Sequence, residues 1–445
     1  MRTIALLFLL ITICLAQTGQ PPLLAPTPPM GWNSWDSFGL TVTQDEFQAN
    51  AQYLADHLRP LGWQYAVVDE GWYLENPEAK PGSFHFSLDT YGRFTPAENR
   101  FPLAANGAGF SKLAAWAHAR NLKFGIHIIQ GIPREAVEKN SPIAGSHFHA
   151  SDAADRSDTC RWNADNYGVR PNAAGQAYYD SIAALYASWG VDFVKMDCVD
   201  APYRADAIRM FSEALRKTGR PIVLSLSPGP APLDKVSELR RYAQMWRISG
   251  DVWDHWAQLP KQPWTQGLLA QFQNTSQWAP YVEPGHWPDA DMLPLGYLGP
   301  RPGYGKARQT NFTRDEERTL MTLWCIFRSP LFMGGNLTRI DPFTESLLTN
   351  KEVIRVDQQA NGGHPVALDS HHAVWVAKSE DGGALYLAIF NLAETNQMIA
   401  YPLQPLGSVT FRVRDLWQHK DLGTMDTLRV SLNPHSSALF RLTYR

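Results

Sequence analysis

Residues 178–197 read YYDSIAALYASWGVDFVKMD, and this stretch carries the architecture. Tyr178, Ile182, Leu185 and Trp189 recur at helical spacing. Gly190 is placed to end that helix, because a residue without a Cβ adopts left-handed backbone at little cost. The run Val191 to Asp197 then predicts a strand. Its side chains alternate, so Val191, Phe193, Lys195 and Asp197 share one face and Asp192, Val194 and Met196 the other. Helix, glycine, strand and terminal acid make one repeat of a parallel α/β fold.

The same unit recurs on both sides. Upstream, Thr43 and Glu46 have capping-box spacing, with Phe47, Ala51, Leu54 and Leu58 following at helical intervals. Gly62 turns the chain into the strand Tyr65 to Asp69. A helix with Phe110, Leu113, Ala114 and Ala117 on one face leads to a strand from Lys123 to His127. Downstream, Ile208, Phe211 and Leu215 mark a helix that stops at Gly219 and yields Pro221 to Ser225. Further strand ends fall at Trp246-Arg247, between Trp287 and Met292, and at Pro330 to Met333. With Met30-Gly31-Trp32 at the start, the count is about eight, the number of a (β/α)8 barrel. An open doubly wound sheet has the same alternation.

Beyond about Gln358 the helical period gives way to short alternating runs, Ala373 to Ala377, Leu385 to Phe390 and Ser437 to Leu442. They predict a small C-terminal antiparallel β-sandwich. The expected division is a signal peptide over 1–16, a Pro- and Gln-rich leader over 17–27, a barrel over 28–360 and the sandwich over 361–445. Arg2, the apolar run Ile4 to Ile13 and Ala16 before Gln17 carry the export signal. A secreted or periplasmic protein is therefore expected, with no membrane span, since no later segment is long and apolar enough.

Of the 445 residues, 44% are hydrophobic and 19% charged, which suits a globular chain with a sizeable core. A net charge of -3 supplies no basic field, so nucleic acid and anionic membranes are not expected partners. Beyond the signal segment three cysteines remain. Cys325 lies in an apolar run, which leaves Cys160 and Cys198 as the candidate disulfide. Asn274, Asn311 and Asn336 lie in glycosylation sequons.

The C-terminal ends of barrel strands are where catalytic groups gather. Lys195 and Asp197 point together from one such end, and the cation is expected to keep Asp197 ionised. Asp251 follows the strand end at Arg247. Glycoside cleavage needs one carboxylate to attack the anomeric carbon and one carboxylic acid to protonate the departing oxygen, a division these two acids suit. Asp69, Glu70, Asp289 and Asp291 follow other strands and are candidate ligands for sugar hydroxyls. Trp32, Trp35 and Trp72 are candidates for a stacking wall or for core. His147 and His149 have the spacing of a metal-binding pair, but no second set of ligands completes it, so neither metal nor cofactor is expected. A metal-dependent hydrolase and a silent carbohydrate-binding protein are the competing readings.

These motifs resemble glycoside hydrolase family 27, the melibiase group of α-galactosidases and α-N-acetylgalactosaminidases. The segments are PPMGWNSWDSFG (28–39), VVDEGW (67–72), DFVKMDC (192–198), WRISGDVWDHW (246–256), GHWPDADML (285–293) and RSPLFMGGNL (328–337). With NKEVIRVDQ (350–358) they span roughly residues 28–360 in order. The resemblance implies a retaining exo-glycosidase for terminal α-linked galactose-configured sugars of an oligosaccharide or glycoconjugate. Asp197 would be the nucleophile and Asp251 the acid/base. Trp35, Asp69, Glu70, Lys195, Arg247 and Asp291 would bind the sugar. His127 stands where the family has a Tyr, and Ser227 where it separates galactose from N-acetylgalactosamine readers. The family's usual Asp-Asp pair is Asp69-Glu70 here. α-N-Acetylgalactosaminides, β-L-arabinopyranosides and dextran are the alternative substrates.

Overall fold

The computed structural model describes residues 23–299 and 305–444, so the predicted signal peptide and the first part of the leader lie outside the described residues. Eight parallel strands run β1 (Met30–Asn33), β2 (Tyr65–Val68), β3 (Lys123–Ile129), β4 (Phe193–Asp197), β5 (Val223–Leu226), β6 (Met245–Arg247), β7 (Trp287–Asp289) and β8 (Leu331–Met333). Their spatial order is β7-β6-β5-β4-β3-β2-β1-β8. Between the two ends of that order, a parallel bridge from Leu293 to Met333 closes the ring, and the Leu293 N–H donates to the Phe332 carbonyl at 2.7 Å. The alternation is thus resolved as a barrel.

The main helices that follow the strands are α1 (Gln44–Tyr53), α2 (Ser111–His118), α3 (Ala173–Ser188), α4 (Ala205–Lys217), α5 (Val236–Tyr242), α6 (Leu268–Trp278), α7 (Arg314–Phe327) and α8 (Lys351–Gln359), with shorter helical segments in some of the connections. The local reasons match the sequence. Thr43 Oγ1 accepts the Glu46 N–H while a Glu46 carboxylate oxygen accepts the Thr43 N–H, the reciprocal cap of α1. Asn172 caps α3 by accepting the Gly175 N–H, and Gly190, at φ +81°, turns the chain into β4.

Inside the barrel the period of two sorts the side chains. Tyr65, Val67, Phe193, Val223, Met245 and Phe332 form the inner plug, while Val194 and Met196 join the outer layer against the helices. The rings of Tyr65, Phe193 and Phe332 lie 5.3–6.1 Å apart. Gly31 is needed where β1 meets β2, since a Cβ there would sit 2.3 Å from the Tyr65 carbonyl oxygen. The plug fills the lower barrel, so Lys195, Asp197 and Arg247 project above it.

The chain leaves α8 at Gln359 and enters antiparallel structure at β9 (Ala360–Leu368). There follow β10 (His372–Ser379), β11 (Ala384–Asn391), β12 (Gln397–Pro402), β13 (Phe411–Asp415), β14 (Lys420–Met425), β15 (Thr427–Leu432) and β16 (Ser437–Tyr444). Six form a sheet in the order β9-β10-β11-β16-β13-β14, and β12 pairs with β15. Leu387, Ile389, Phe411, Leu428 and Phe440 fill the core between the two layers. This is the expected sandwich.

One element was not legible beforehand. After β3 the chain builds a small antiparallel sheet from Ile132–Pro133, Ala154–Thr159 and Asn166–Val169, with the last segment in the middle. Its turn carries residues 160–165 to the barrel mouth.

Candidate active site

A cavity of about 600 Å³ opens at the C-terminal ends of the strands. Its wall contains Trp35, Asp69, Glu70, Lys195, Asp197 and Ser227, together with Arg247, Asp251 and Asp291. Nine of the ten residues that the family resemblance singles out therefore meet in one place. The tenth, His127, is buried behind the wall: its Nε2 lies 3.1 Å from Asp197 Oδ2, so it contacts the expected nucleophile rather than the sugar space.

Asp197 ends β4. Its Oδ1 accepts the N–H of Cys198, the next residue, which adopts left-handed backbone at φ +64°. The Cys198 side chain then turns away from the cavity and is bonded to Cys160, with a Cα–Cα distance of 5.9 Å. The predicted disulfide is present, and Cys325 is a buried free thiol. Arg204 braces the same corner by donating to the Cys198 carbonyl, the Thr159 carbonyl and the Asp158 carboxylate.

Lys195 reaches across to a nearby strand end. Its ammonium is hydrogen-bonded to Asp69 Oδ2 at 3.1 Å, because β2 and β4 flank β3 and bring those two strand ends together above His127. Burial alone would lower the Lys195 pKa; Asp69, Asp197 and Asp291 raise it above its ordinary value. Asp69 also accepts Asn33 Nδ2–H at 2.6 Å. Burial opposes its ionisation, but Lys195 and His127 outweigh it and hold the carboxyl down at about 2. Glu70 behaves oppositely: burial pushes it up to about 7, against His127 and with Asp197 adding to the rise. Asn163 Nδ2 donates to Glu70 Oε1 at 2.8 Å.

Across the cavity, Arg247 lies 2.6 Å from Asp291 Oδ2 and 3.4 Å from Asp251 Oδ1, and donates to the Gly250 carbonyl at 2.7 Å. Asp291 holds an uncommon φ of +92°, with its carboxylate accepting the Val252 N–H at 2.8 Å and its own N–H bonded to Asp289. Asp289 therefore supports the turn instead of facing the cavity. Confinement raises the Asp251 carboxyl above its ordinary value against the pull of Arg247, and Asp197 adds to the rise. Asp251 and Asp197 thus share a cavity with different hydrogen-bond and charge environments.

Other candidates fall elsewhere. Trp32 and Trp72 are fully buried and donate to the carbonyls of Gly335 and His127, which makes them core; Trp35 alone of the three reaches the cavity. His147 packs on the ring of Phe148, and the His149 N–H donates to Asp152 at the start of a helical turn. Asp36 was missed. It lines the cavity with a buried carboxyl whose Oδ2 has no partner among the described residues, and burial followed by Asp291 raises it well above the carboxylate range. Gly334 makes room for it, since a Cβ there would sit 1.9 Å from Asp36 Oδ2. Its position beside Trp35 was the only available signal.

A sequence profile described as alpha galactosidase A matches residues 163–359, and one described as the alpha galactosidase C-terminal beta sandwich domain matches 369–442. The crystal structure of a family 27 β-L-arabinopyranosidase from Geobacillus stearothermophilus is similar at 46% identity and a TM-score of 0.90, covering 94% of this chain and 97% of that one. The chain belongs to glycoside hydrolase family 27. It is a glycoside hydrolase with a carbohydrate substrate, as the two-carboxylate cavity leads one to expect. Other relatives include an α-galactosidase of Oryza sativa subsp. japonica, 27% identical over 94% of this chain and 85% of that protein. An α-N-acetylgalactosaminidase of Gallus gallus is 27% identical over 94% of each. Among the described residues no helix is long and apolar enough to cross a membrane.

Proposed function

We propose that this family 27 glycosidase is a retaining exo-enzyme that releases a terminal galactose-configured pyranose, preferring β-L-arabinopyranosides to α-D-galactosides. The observation that carries the reading is the meeting of Asp197 and Asp251 in one cavity. In this reading Asp197 attacks the anomeric carbon and forms a glycosyl ester, while Asp251 gives its proton to the departing oxygen. Water then attacks the anomeric carbon, displaces the Asp197 carboxylate and gives a proton to Asp251, so two inversions restore the starting configuration. Lys195, Asp69, Arg247 and Asp291 would hold the ring hydroxyls, with Trp35 as the stacking face.

The preference for the pentose rests on Glu70 and on the 46% identity to a β-L-arabinopyranosidase. β-L-Arabinopyranosides share the ring configuration of α-D-galactosides and lack only the hydroxymethyl group. Glu70 is one methylene longer than the Asp common in the family, and its carboxyl is fixed by Asn163, so the extra length occupies space beside the ring. We assign the barrel to residues 28–360 and the sandwich to 361–445, and infer export from the N-terminal segment.

Proton NMR of the first product, recorded before mutarotation, tests the reaction, and relative rates on aryl β-L-arabinopyranoside and α-D-galactopyranoside test the glycone. The expected result is a product that first appears with the substrate's configuration and a higher kcat/KM for the pentoside. An inverted first product would overturn the double displacement, and faster cleavage of the galactoside would overturn the preference.

A further inference from the structure

Asp36 lines the cavity although only 2% of its surface is exposed, and its Oδ2 is buried with no partner among the described residues. Buried polar atoms are ordinarily matched, so a carboxyl held this way in a cavity wall calls for a ligand that engages it. The helical turn that carries it, Trp35–Phe38, is pinned on both sides: the Asp36 carbonyl accepts the Gly299 N–H at 3.3 Å, and Ser37 Oγ donates to the Gly334 carbonyl. Gly334 also packs against the carboxyl itself, with no space for a Cβ between them. The side chain is therefore fixed in the wall.

Its place around the barrel decides what it can reach. The strand order puts Asp69 after β2, Asp36 after β1, Gly334 after β8 and Asp291 after β7. Asp36 thus stands between the Lys195–Asp69 pair and the Arg247–Asp291 pair. Six carboxyl groups line the cavity against three cations, Arg161, Lys195 and Arg247. An ionised carboxylate can only accept hydrogen bonds, so a sugar hydroxyl among such groups spends its own O–H as donor while its oxygen still needs one. A neutral carboxylic acid supplies that donor. Burial, followed by the charge of Asp291, holds Asp36 well above the ordinary carboxylate range, the direction this role requires.

We infer that Asp36 is a further glycone ligand of this enzyme, an uncharged carboxylic acid that donates its O–H to a ring hydroxyl of the sugar between the two ion pairs. The inference rests on the exo-glycosidase reading. It adds a neutral donor to a cavity otherwise built from charged groups, and makes one hydroxyl of the glycone depend on it.

The test compares Asp36→Ala and Asp36→Asn with the wild type on an aryl glycoside and its 2-, 3- and 4-deoxy analogues. The parent is whichever of the β-L-arabinopyranoside and the α-D-galactopyranoside the wild type cleaves faster. Asp36→Ala is expected to lower kcat/KM on the parent about 3- to 10-fold or more, mainly through KM. That loss should vanish on one of the three analogues, the one lacking the hydroxyl that Asp36 serves, because two changes to one contact are not additive. Asp36→Asn keeps a donor and an acceptor in the same space and should recover most of the loss. Asp36→Leu, close in volume and without a polar atom, carries the same comparison if thermal melts show that the alanine variant does not fold. Equal losses on the parent and all three analogues would overturn the inference, because the carboxyl would then serve the fold. An asparagine variant as impaired as the alanine one would overturn the donor role. Wild-type inactivity on both parent glycosides would instead overturn the exo-glycosidase reading and this inference with it.

Discussion

Nε2 of His127 stands 3.1 Å from Oδ2 of Asp197, and the imidazole is buried, with Nδ1 lacking a partner among the described residues. Burial would lower the His127 pKa, but Asp69 and Asp197 raise it above its ordinary value, so the ring can remain a donor at Nε2. In the double-displacement reading proposed above, that contact makes it a positioning residue for Asp197.

His127→Phe preserves ring volume and removes the donor. Hydrogen bonds to charged groups contribute about 1.5–3 kcal/mol, so kcat should fall roughly ten-fold or more with little change in KM. His127→Gln, which keeps an N–H, should restore part of the loss. Steady-state kinetics on an aryl glycoside decide it; a rise in KM alone would place His127 with the sugar.

Asp197→Asn should abolish turnover on every glycoside. Asp251→Asn should cost about 10²-fold or more where the leaving group needs a proton, and far less where it does not. In the wild type the alkaline fall of kcat/KM should follow deprotonation of Asp251, since the acid must begin protonated, and that limb should disappear in Asp251→Asn. A variant slowed equally on a glycosyl fluoride and a disaccharide would count against the acid role.

Glu70→Asp should shift the kcat/KM ratio toward α-D-galactosides. One methylene in a pocket discriminates by about 1–3 kcal/mol, or 10- to 200-fold. Paired rates on pentoside and hexoside measure the shift, and an unchanged ratio would remove Glu70 from glycone selection.

Asp200 lies near Asp197 with both carboxyl oxygens buried and unpartnered among the described residues, and burial followed by Asp197 pushes it up to about 8. Between an ordinary value of about 4 and that value, the folded chain keeps a proton that the unfolded chain has released. Its contribution to stability therefore declines as pH rises through that window. Asp200→Asn should be close to neutral at pH 5 and more stable than wild type by about 1–3 kcal/mol above pH 8. Denaturant melts at the two pH values test the sign.

Periodicity and capping chemistry made the eight strand–helix repeats readable because each is local: Thr43 with Glu46, or Gly190 before β4, acts within one or two turns of chain. The strand-end rule likewise brought Asp69, Lys195, Asp197, Arg247 and Asp291 to the same face from sequence alone. What spacing cannot carry is which of those side chains meet. Lys195 is two residues from Asp197 yet bonds Asp69, 126 positions away, because closure of the barrel fixes the distance between strand ends. The same closure put His127 behind Asp197 and buried Trp32 and Trp72 while leaving Trp35 in the cavity. Trp162 and Trp264, which also line the cavity, carry no periodic signal at all, since they sit on loops whose position depends on long-range contacts, the Cys160–Cys198 bond in one case and the pairing of Asp251 with Thr265 in the other. The repeat, the two layers and the chemical types at the strand ends are written into the chain locally, through interactions spanning a few residues. Pairing, burial and the shape of the cavity mouth were decided only by tertiary structure, because they are set by distances between segments that the chain closes through space.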